Sequence, residues 1–274
     1  MNKYAMPLLN YLLFFTMILA FSCNKPVPST EAEPPAKVEV IEAKATPEPS
    51  ITFPVEYLMG QFDPATHPDF IKIDIQHADR AGLYLRKDTY AAFQKMYEAA
   101  LQDGIQLVIR SATRNFNSQK GIWEAKWNGS RKIENGKDAS QAYPEPKQRA
   151  LKILEYSSMP STSRHHWGTD IDLNNFNNEW FMEGEGLKIY TWLQANAATY
   201  GFCQPYTAKG TERPNGYNEE RWHWSYIPIS KPLTEQARRE LKNEMITGFL
   251  GAAVASEIDV VQNYVLGINQ ACLD

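Results

Sequence analysis

The sequence predicts a mixed α+β domain in which helices flank a small, mainly antiparallel sheet. From Ile51 onward, stretches with apolar residues at helical spacing alternate with short apolar stretches typical of strands. The chain has 274 residues, 43% of them hydrophobic and 22% charged, so it can bury one full core and still carry terminal extensions. No internal repeat is visible, and we expect a single folded body over residues 51–250.

The first predicted helix covers residues 89–102. Asp88 has a side chain suited to capping its start, and Gly104 is placed to end it. Its predicted apolar face consists of Phe93, Met96, Tyr97, Ala100 and Leu101.

Similar signals predict the later elements in chain order. Helices are expected over 117–127, 145–156 and 185–200, the last of them ending at Gly201. A further helix is expected after Pro232, with Leu241, Met245 and Phe249 in step. Strands are predicted over 105–109, 169–173 and 222–227.

The C-terminal segment, residues 251–274, is predicted to form a last helix or tail. Its apolar residues Val254, Ile258, Val261 and Val265 fall on one face of a helix. Such a stripe more often packs on its own domain than on a partner protein. We therefore expect it to dock on the folded body.

The amino terminus is predicted to be a targeting segment. Residues 8–21 form an apolar run that is too short to span a membrane comfortably, as in a secretory signal peptide. The run ends directly at Cys23, and Leu19–Cys23 resembles a bacterial lipobox. We therefore predict a lipoprotein signal over residues 1–23, lipid attachment at Cys23 and a periplasm-facing location in a bacterial cell envelope. A signal peptide cut near Ser22 and an uncleaved anchor are the alternatives.

Residues 24–50 are predicted to be a disordered linker. The segment is rich in Pro and Glu and poor in aromatic residues, so it cannot bury enough apolar surface to offset its ordering entropy.

Two further cysteines follow the linker, Cys203 and Cys272. An oxidising envelope would allow Cys203 and Cys272 to pair, but unpaired thiols buried as small apolar groups are an equally good interpretation.

The overall charge disfavours nucleic acid as a partner. The formal net charge is −4, and no cluster of Lys and Arg forms a basic face. We expect a monomer.

The candidate chemistry lies in two short segments, residues 163–172 and 220–223, which hold three of the five histidines. If residues 169–173 form a strand, Asp170 and Asp172 share one face while Ile171 and Leu173 share the other. A tight turn at Gly168 would let His165 fold back toward Asp172. The segment can therefore supply a His and an Asp to one ion.

The second segment can supply the remaining groups. In a strand that begins at Trp222, His223 and Ser225 lie on the face opposite Trp222 and Trp224, and Glu220 would sit in the preceding turn. Three protein ligands with an open position and a nearby carboxylate are what a catalytic zinc site needs. Taken alone, a His beside a Trp is more often structural, so the hypothesis depends on both segments.

These segments resemble a known family. Residues 163–172 are similar to the Ser-x-His-x-x-Gly-x-x-x-Asp signature of VanY-type D-alanyl-D-alanine carboxypeptidases, which are M15 zinc metallopeptidases. Residues 220–223 resemble their Glu-x-Trp-His element, and residues 111–119 resemble their Ser-x-x-Arg-Ser-x-x-x-Gln stretch. The likeness covers about residues 57–229 and implies a hedgehog/DD-peptidase-like fold with the zinc site at the sheet.

The resemblance implies a role for each matching residue. It implies that His165, Asp172 and His223 bind Zn²⁺ and that Glu220 activates the attacking water. It also implies that Arg114 pairs with the terminal carboxylate of the substrate. Gln119 and Ser163 would make supporting contacts.

The chain departs from the family pattern at three positions. His166 stands where many relatives carry Gln, and Asp170 where many carry a small residue. We predict that both contact the ligands rather than the metal, with a role as alternative ligands left open and His165 the better choice by the signature. Asn115 replaces the usual Ser after the arginine. Trp167, Trp222 and Trp224 could line a cleft or lie in the core.

Together these observations predict an envelope enzyme that removes the terminal D-alanine from peptidoglycan stem peptides. Both D,D- and L,D-carboxypeptidase activity remain open. A cross-link endopeptidase with the same metal ligands and a cell-wall binding module without turnover are the alternatives.

Overall fold

The computed structural model describes residues 52–274, so the predicted signal peptide, the Cys23 lipidation site and the linker over residues 24–50 lie outside the described residues. The α-helices in the described part are α1 (Val55–Leu58), α2 (Lys87–Gln102), α3 (Phe116–Trp127), α4 (Ala139–Ala142), α5 (Pro146–Ile153), α6 (Gly184–Asn196), α7 (Ile227–Glu240) and α8 (Ala255–Ile258). The strands are β1 (Phe70–Lys72), β2 (Tyr84–Arg86), β3 (Ile109–Ser111), β4 (Asp170–Leu173), β5 (Phe202–Cys203) and β6 (His223–Tyr226). The predicted α+β class is confirmed.

Four strands form the main sheet, in the order β3-β4-β6-β5, and every neighbouring pair is antiparallel. Strands β1 and β2 form a separate antiparallel pair. Within the main sheet, β4 and β6 are central, and their register places Asp172 opposite His223 and Asp170 opposite Ser225. The two segments singled out in the sequence are therefore adjacent strands.

The two faces of the sheet differ in polarity as the alternation predicts. Ile171 and Leu173 are fully buried in an apolar cluster that also contains Trp222 and Trp224. Helices α2 and α6 contribute to this cluster through residues such as Phe93. The opposite face of β4 and β6 carries the polar side chains.

A second apolar cluster lies beneath α3, α5, α7 and the C-terminal tail. Val254, Ile258, Val261 and Val265 are all buried in it, which confirms that the tail docks on its own domain. Of the two expected forms, a last helix or a tail, one continuous helix does not form. Asp259 adopts a left-handed conformation with φ of 51°, so α8 ends there and a separate helical turn follows at Val261–Val265.

The predicted strand over residues 105–109 is displaced. Ile105 and Leu107 are buried, but strand pairing begins at Ile109, which lies opposite Leu173 at the end of β4. The apolar pattern over residues 105–109 correctly predicted burial. Pairing starts only at Ile109 because its partner strand β4 ends at Leu173.

Helix α2 begins at Lys87, so Asp88 lies in its first turn rather than at the cap. Its carboxylate still accepts a hydrogen bond from the Thr89 amide at 2.7 Å. Its negative charge also interacts favourably with the positive end of the helix dipole. Phe93, Met96 and Ala100 are buried as predicted, but Leu101 is 53% exposed because it lies beyond the edge of the buried face.

The helix expected after Pro232 is also wrong in extent. Pro232 lies inside α7, which begins at Ile227 and ends at Glu240. Leu241 is extended, and Met245 belongs to a separate 3-10 turn, Asn243–Met245. The spacing of the apolar residues continued across a real break in the helix.

The other predicted helices match within a few residues. Helix α3 is capped by Asn115, whose side chain accepts from the Ser118 amide, and α5 is capped by Glu145. Helix α6 continues into the 3-10 turn Ala197–Tyr200 and stops at Gly201, which has φ of 80°. Within residues 52–274, no helix has the length and apolar composition needed to cross a bilayer.

Cys203 and Cys272 form a disulfide with their Cα atoms 5.6 Å apart. Of the two interpretations left open by the sequence, the paired one is therefore correct. The bond ties the edge strand β5 to the C-terminal tail.

Candidate metal centre

The three predicted ligands converge on one face of the sheet. His165 Nε2 lies 3.2 Å from Asp172 Oδ2, and His223 Nδ1 lies 3.1 Å from Asp172 Oδ1. One ligand atom from each residue lies within 4.8 Å of the others. All three side chains are buried, so a cation held between them would be largely shielded from bulk water.

The turn before β4 brings His165 to this position. His165 lies on the 3-10 turn Arg164–Trp167, which ends at Gly168 with φ of 72°. A Cβ atom at Gly168 would come within 2.3 Å of the Phe70 ring, so both the backbone conformation and the space favour glycine. The fold-back predicted from the sequence is thus produced by a left-handed glycine.

His165 is oriented through its other ring nitrogen. Its Nδ1 lies 2.9 Å from the backbone carbonyl oxygen of Ala112. An Nδ1–H donor to this carbonyl leaves Nε2 unprotonated and facing Asp172. This is the form of histidine that binds a metal.

His166 has different contacts and lies outside the ligand cluster. Its Nε2 accepts a hydrogen bond from the Ser161 amide at 3.1 Å, so its Nδ1 donates to the carbonyl of Arg114 at 2.5 Å. Burial lowers the pKa of His166 to about 3. The structure therefore places a neutral imidazole next to the predicted ligand His165.

Glu220, the predicted general base, lies beside the three predicted ligands. Its Oε2 is 3.3 Å from His223 Nδ1, and the backbone amide of His223 donates to the Glu220 carbonyl at 3.2 Å. Burial raises the pKa of Glu220, although the contact with His223 opposes the shift. A carboxylate with a raised pKa is a stronger base than an exposed one and is suited to accept a proton.

Arg114 reaches the same site from the segment after β3. Its Nη1 lies 3.6 Å from Asp172 Oδ2 and donates to the Ser111 hydroxyl, while its Nε donates to Gln119 Oε1 at 2.9 Å. Gln119 is itself held by a hydrogen bond from its Nε2 to the Ser158 carbonyl at 2.8 Å. Gln119 therefore orients the guanidinium of Arg114.

Ser163 is not brought to the cleft. It is buried, its hydroxyl has no hydrogen-bond partner among residues 52–274, and it is absent from the residues that line the cleft. Its backbone carbonyl accepts from the amide of His166, so its contribution is to the turn.

The donor set fits a divalent cation. Asp172 Oδ1 is buried and accepts no hydrogen bond from the described part of the chain, although His223 Nδ1 lies 3.1 Å from it. Burial raises the pKa of Asp172, but the imidazoles of His165 and His223 outweigh this effect and hold it well below its ordinary value. An ionised carboxylate with a buried unsatisfied oxygen, flanked by two imidazole nitrogens, is a ligand set that zinc accepts.

The cluster opens into a cleft of about 810 Å³. Arg114, Gln119, Glu220 and Trp222 are among the residues that line it. A volume of this size suits a short peptide or other small ligand. Trp167 and Trp224 do not line the cleft and belong to the buried core.

Two site residues carry no signal that the sequence interpretation used. The ring of Tyr206, in the loop after β5, packs 4.6 Å from the His223 ring and lines the cleft. Arg164 is 1% exposed and pairs with Asp170 at 3.1 Å. No local sequence pattern marked Arg164, because its partner Thr234 lies 70 residues away along the chain.

Comparison with known proteins places these features in a family. The model of the VanY family, described as D-alanyl-D-alanine carboxypeptidase, matches residues 82–229, which is more than half of the chain. The matched region includes His165, Asp172, Glu220 and His223.

Two curated relatives have similar sequences. A D-alanyl-D-alanine carboxypeptidase of Enterococcus faecalis is 27% identical over 136 residues, which cover 50% of this chain and 46% of the relative. YodJ of Bacillus subtilis is 27% identical over 177 residues, which cover 62% of this chain and 56% of the relative. The chain thus spans about half the length of the curated relatives it matches.

Solved structures similar to this chain include LdcB and VanYB. The LD-carboxypeptidase LdcB is 22% identical with a TM-score of 0.47, and the match covers 66% of this chain and 76% of LdcB. VanYB, solved in complex with D-alanine-D-alanine, is 20% identical with a TM-score of 0.46, and the match covers 64% of this chain and 87% of VanYB.

Proposed function

Because this chain belongs to the VanY family of D-alanyl-D-alanine carboxypeptidases, we propose that it is a zinc-dependent carboxypeptidase that removes the terminal D-alanine from peptidoglycan stem peptides. The observation that carries the proposal is the convergence of His165, Asp172 and His223 beside the buried carboxylate of Glu220. Family membership alone would also be consistent with a protein that has lost its catalytic residues. All four groups are present, and they lie at the base of a cleft.

His165 Nε2, His223 Nδ1 and a carboxylate oxygen of Asp172 would hold the zinc ion. A zinc ion bound there supplies a Lewis acid that polarises the scissile carbonyl and lowers the pKa of a coordinated water to about 7. The three side chains are held by the β4–β6 pairing and by the Gly168 turn, so little reorganisation is needed when the metal binds.

Glu220 is proposed to move the proton. As the water oxygen bonds to the carbonyl carbon, the Glu220 carboxylate accepts the proton that the water loses. The protonated Glu220 then donates it to the amine nitrogen as the C–N bond breaks, so the released D-alanine carries a neutral amine that is protonated in solution. Burial raises the pKa of Glu220, which makes its carboxylate a stronger base for the first step than an exposed glutamate would be.

Arg114 is proposed to bind the free carboxylate of the terminal residue. Its Nε and Nη1 are already engaged, and its Nη2 makes no hydrogen bond to any residue in the described range 52–274. A guanidinium fixed on two sides presents its remaining N–H groups with little entropic cost. This explains how an enzyme that cuts next to a chain end can recognise that end.

The activity test uses two synthetic stem peptides with the purified protein. A pentapeptide that ends in D-Ala-D-Ala tests D,D-activity, and a tetrapeptide in which D-Ala follows an L-centre tests L,D-activity. We expect D-alanine release from at least one stem, loss of release with a zinc chelator, and recovery when zinc is added. Cleavage of a cross-linked dimer without release of terminal D-alanine would favour an endopeptidase. Binding of wall fragments with no hydrolysis would favour a binding module.

We also propose that the protein is a lipoprotein of a bacterial cell envelope, facing the periplasm. The support is the apolar run over residues 8–21 that ends at Cys23, followed by a Pro- and Glu-rich segment. An envelope location would bring a carboxypeptidase to its proposed substrate. Incorporation of a radiolabelled fatty acid that disappears in Cys23→Ala is the expected result, and equal labelling of both proteins would contradict it.

A further inference from the structure

His223 has acidic neighbours at both ring nitrogens. Its Nδ1 faces the carboxylates of Asp172 at 3.1 Å and Glu220 at 3.3 Å, on the side of the candidate metal site. Its Nε2 lies 2.9 Å from Oδ1 of Asp170, which is fully buried and lies outside the ligand cluster. Asp170 therefore contacts His223 at the ring nitrogen that faces away from the candidate metal site.

A buried carboxylate needs partners, and Asp170 has them at both oxygens. Its Oδ1 also accepts from Nε of Arg164 at 3.1 Å. Its Oδ2 accepts from the hydroxyls of Thr169 at 2.6 Å and Ser225 at 3.0 Å. These contacts offset the cost of removing the charge from water and fix the orientation of the carboxylate.

Arg164 is held equally firmly. Its Nη1 donates to the Thr234 hydroxyl on α7, and its Nη2 donates to the Ser225 hydroxyl on β6, both at 2.8 Å. Its guanidinium also lies 4.6 Å over the Trp167 ring. A buried chain of contacts thus runs from α7 through Arg164 and Asp170 to the back of His223.

We propose that Arg164 and Asp170 are positioning residues for the metal ligand His223. The Asp170 carboxylate accepts a hydrogen bond from the protonated Nε2 of His223. Nδ1 of the same ring then carries no proton, and its lone pair is directed at the metal site. Arg164 compensates the charge of Asp170, so the carboxylate can orient the imidazole without adding a net negative charge to a site that already contains Asp172 and Glu220. The inference rests on the proposed zinc site.

The arrangement could also serve stability alone, since any buried ion pair that loses one partner destabilises the fold. The two roles differ in what they predict for the metal. A stabilising role predicts a lower unfolding temperature with unchanged zinc affinity of the folded protein. A positioning role predicts weaker zinc binding by protein that is still folded.

The test measures zinc affinity of the metal-free full chain by competition with a chromophoric chelator, with unfolding monitored in parallel. We expect Asp170→Asn and Arg164→Gln to weaken zinc binding about 10- to 100-fold, and Arg164→Lys to recover part of the loss. Arg86→Gln is the matched control, because Arg86 is a buried, ion-paired arginine that contacts Asp88 and Tyr57. It should lower stability and leave zinc affinity unchanged.

A second measurement needs no substitution at these positions. In the zinc-loaded wild-type protein, ¹⁵N NMR of the histidine rings should show His223 protonated at Nε2 and metal-bound at Nδ1. A proton on Nδ1 would overturn the proposal, as would wild-type zinc affinity in both Asp170→Asn and Arg164→Gln. If both variants bind zinc as tightly as the wild type, the proposed function still stands, whereas a proton on Nδ1 would also exclude that nitrogen as a zinc ligand. Failure of the wild type to bind zinc would overturn both.

Discussion

Oε2 of Glu220 lies 3.3 Å from Nδ1 of His223, the nitrogen that faces Asp172. The two residues are only three positions apart, and the contact depends on the turn that precedes β6, in which the His223 amide donates to the Glu220 carbonyl. The proposed base is therefore fixed by the same backbone that presents the proposed ligand. Its distance from the metal site is set locally and does not require a moving loop.

Replacement of Glu220 by Gln should abolish most of the hydrolysis while leaving the metal in place. The amide keeps the size of the side chain but cannot accept a proton, so we expect kcat to fall about 10²- to 10⁴-fold. The measurement is D-alanine release from the better stem peptide, together with zinc content.

Glu219→Gln is the matched control for this prediction. Glu219 is the neighbouring acid, and its carboxylate lies 3.5 Å from Arg221 rather than in the ligand cluster. It should retain activity near that of the wild type. Unchanged hydrolysis in Glu220→Gln would show that another group accepts the proton.

The geometry of the site could be predicted from the sequence because it follows from strand alternation and one turn. The register that pairs Asp172 with His223 puts both on the polar face, and Gly168 returns His165 to the same point. The contribution of Arg164 could not be predicted, since its partner Thr234 is 70 residues away on a helix and no local pattern links them.

The fold was predicted less well where apolar spacing and secondary structure diverge. Val261 and Val265 are buried on the expected face, yet the backbone at Asp259 breaks the helix that their spacing suggested. Leu241 and Met245 follow helical spacing across the end of α7. In both places burial is satisfied by short turns, because packing requires only that the side chain reach the core.

Replacement of His165 by Ala should remove zinc from the protein. Two protein ligands remain, and the Asp172 carboxylate loses the imidazole that lies 3.2 Å away. We expect the zinc content after dialysis to fall from about one ion per chain to well below that value, with loss of hydrolysis.

His77→Gln is the control for the His165 variant. His77 is also buried, but its Nδ1 lies 2.7 Å from the Tyr90 hydroxyl, and it is not part of the ligand cluster. Full zinc content is expected. If His165→Ala retained one tightly bound zinc ion, the proposed ligand set would be incorrect.

Replacement of Arg114 by Lys should impair recognition of the substrate chain end. Lysine keeps the charge but loses the planar fork and the hydrogen bond from Nε to Gln119. We expect kcat/KM to fall about 10- to 100-fold for a stem with a free carboxylate, in line with the strength of a charge-assisted hydrogen bond. The ratio of kcat/KM for this stem to kcat/KM for the same stem with an amidated terminus should become smaller.

Arg110→Lys tests whether any loss of a cleft arginine has this effect. Arg110 also lines the cleft, but it pairs with Asp79 at 2.7 Å and lies 5.4 Å over the Phe176 ring. Its discrimination between free and amidated termini should remain that of the wild type. If the preference for the free terminus fell equally in Arg110→Lys and Arg114→Lys, the assignment of Arg114 as the residue that binds the terminal carboxylate would be incorrect.

Removal of the Cys203–Cys272 disulfide should lower stability and loosen the tail. The bond closes a loop across a sequence separation of 69 residues, and loop-closure entropy assigns it about 4 kcal/mol as an upper value. In a folded unit of this size, each kcal/mol corresponds to about 2–4 °C in Tm. The tail also contacts the loop before Glu220 through the Asn269 amide, which donates to the Pro205 carbonyl at 2.8 Å.

We expect the double variant Cys203→Ser/Cys272→Ser to unfold at a clearly lower temperature, as measured by circular dichroism. A reducing agent should bring wild-type Tm toward that of the variant and leave the variant unaffected. Equal Tm values for the oxidised wild type and the double variant would show that tail packing alone holds the segment in place.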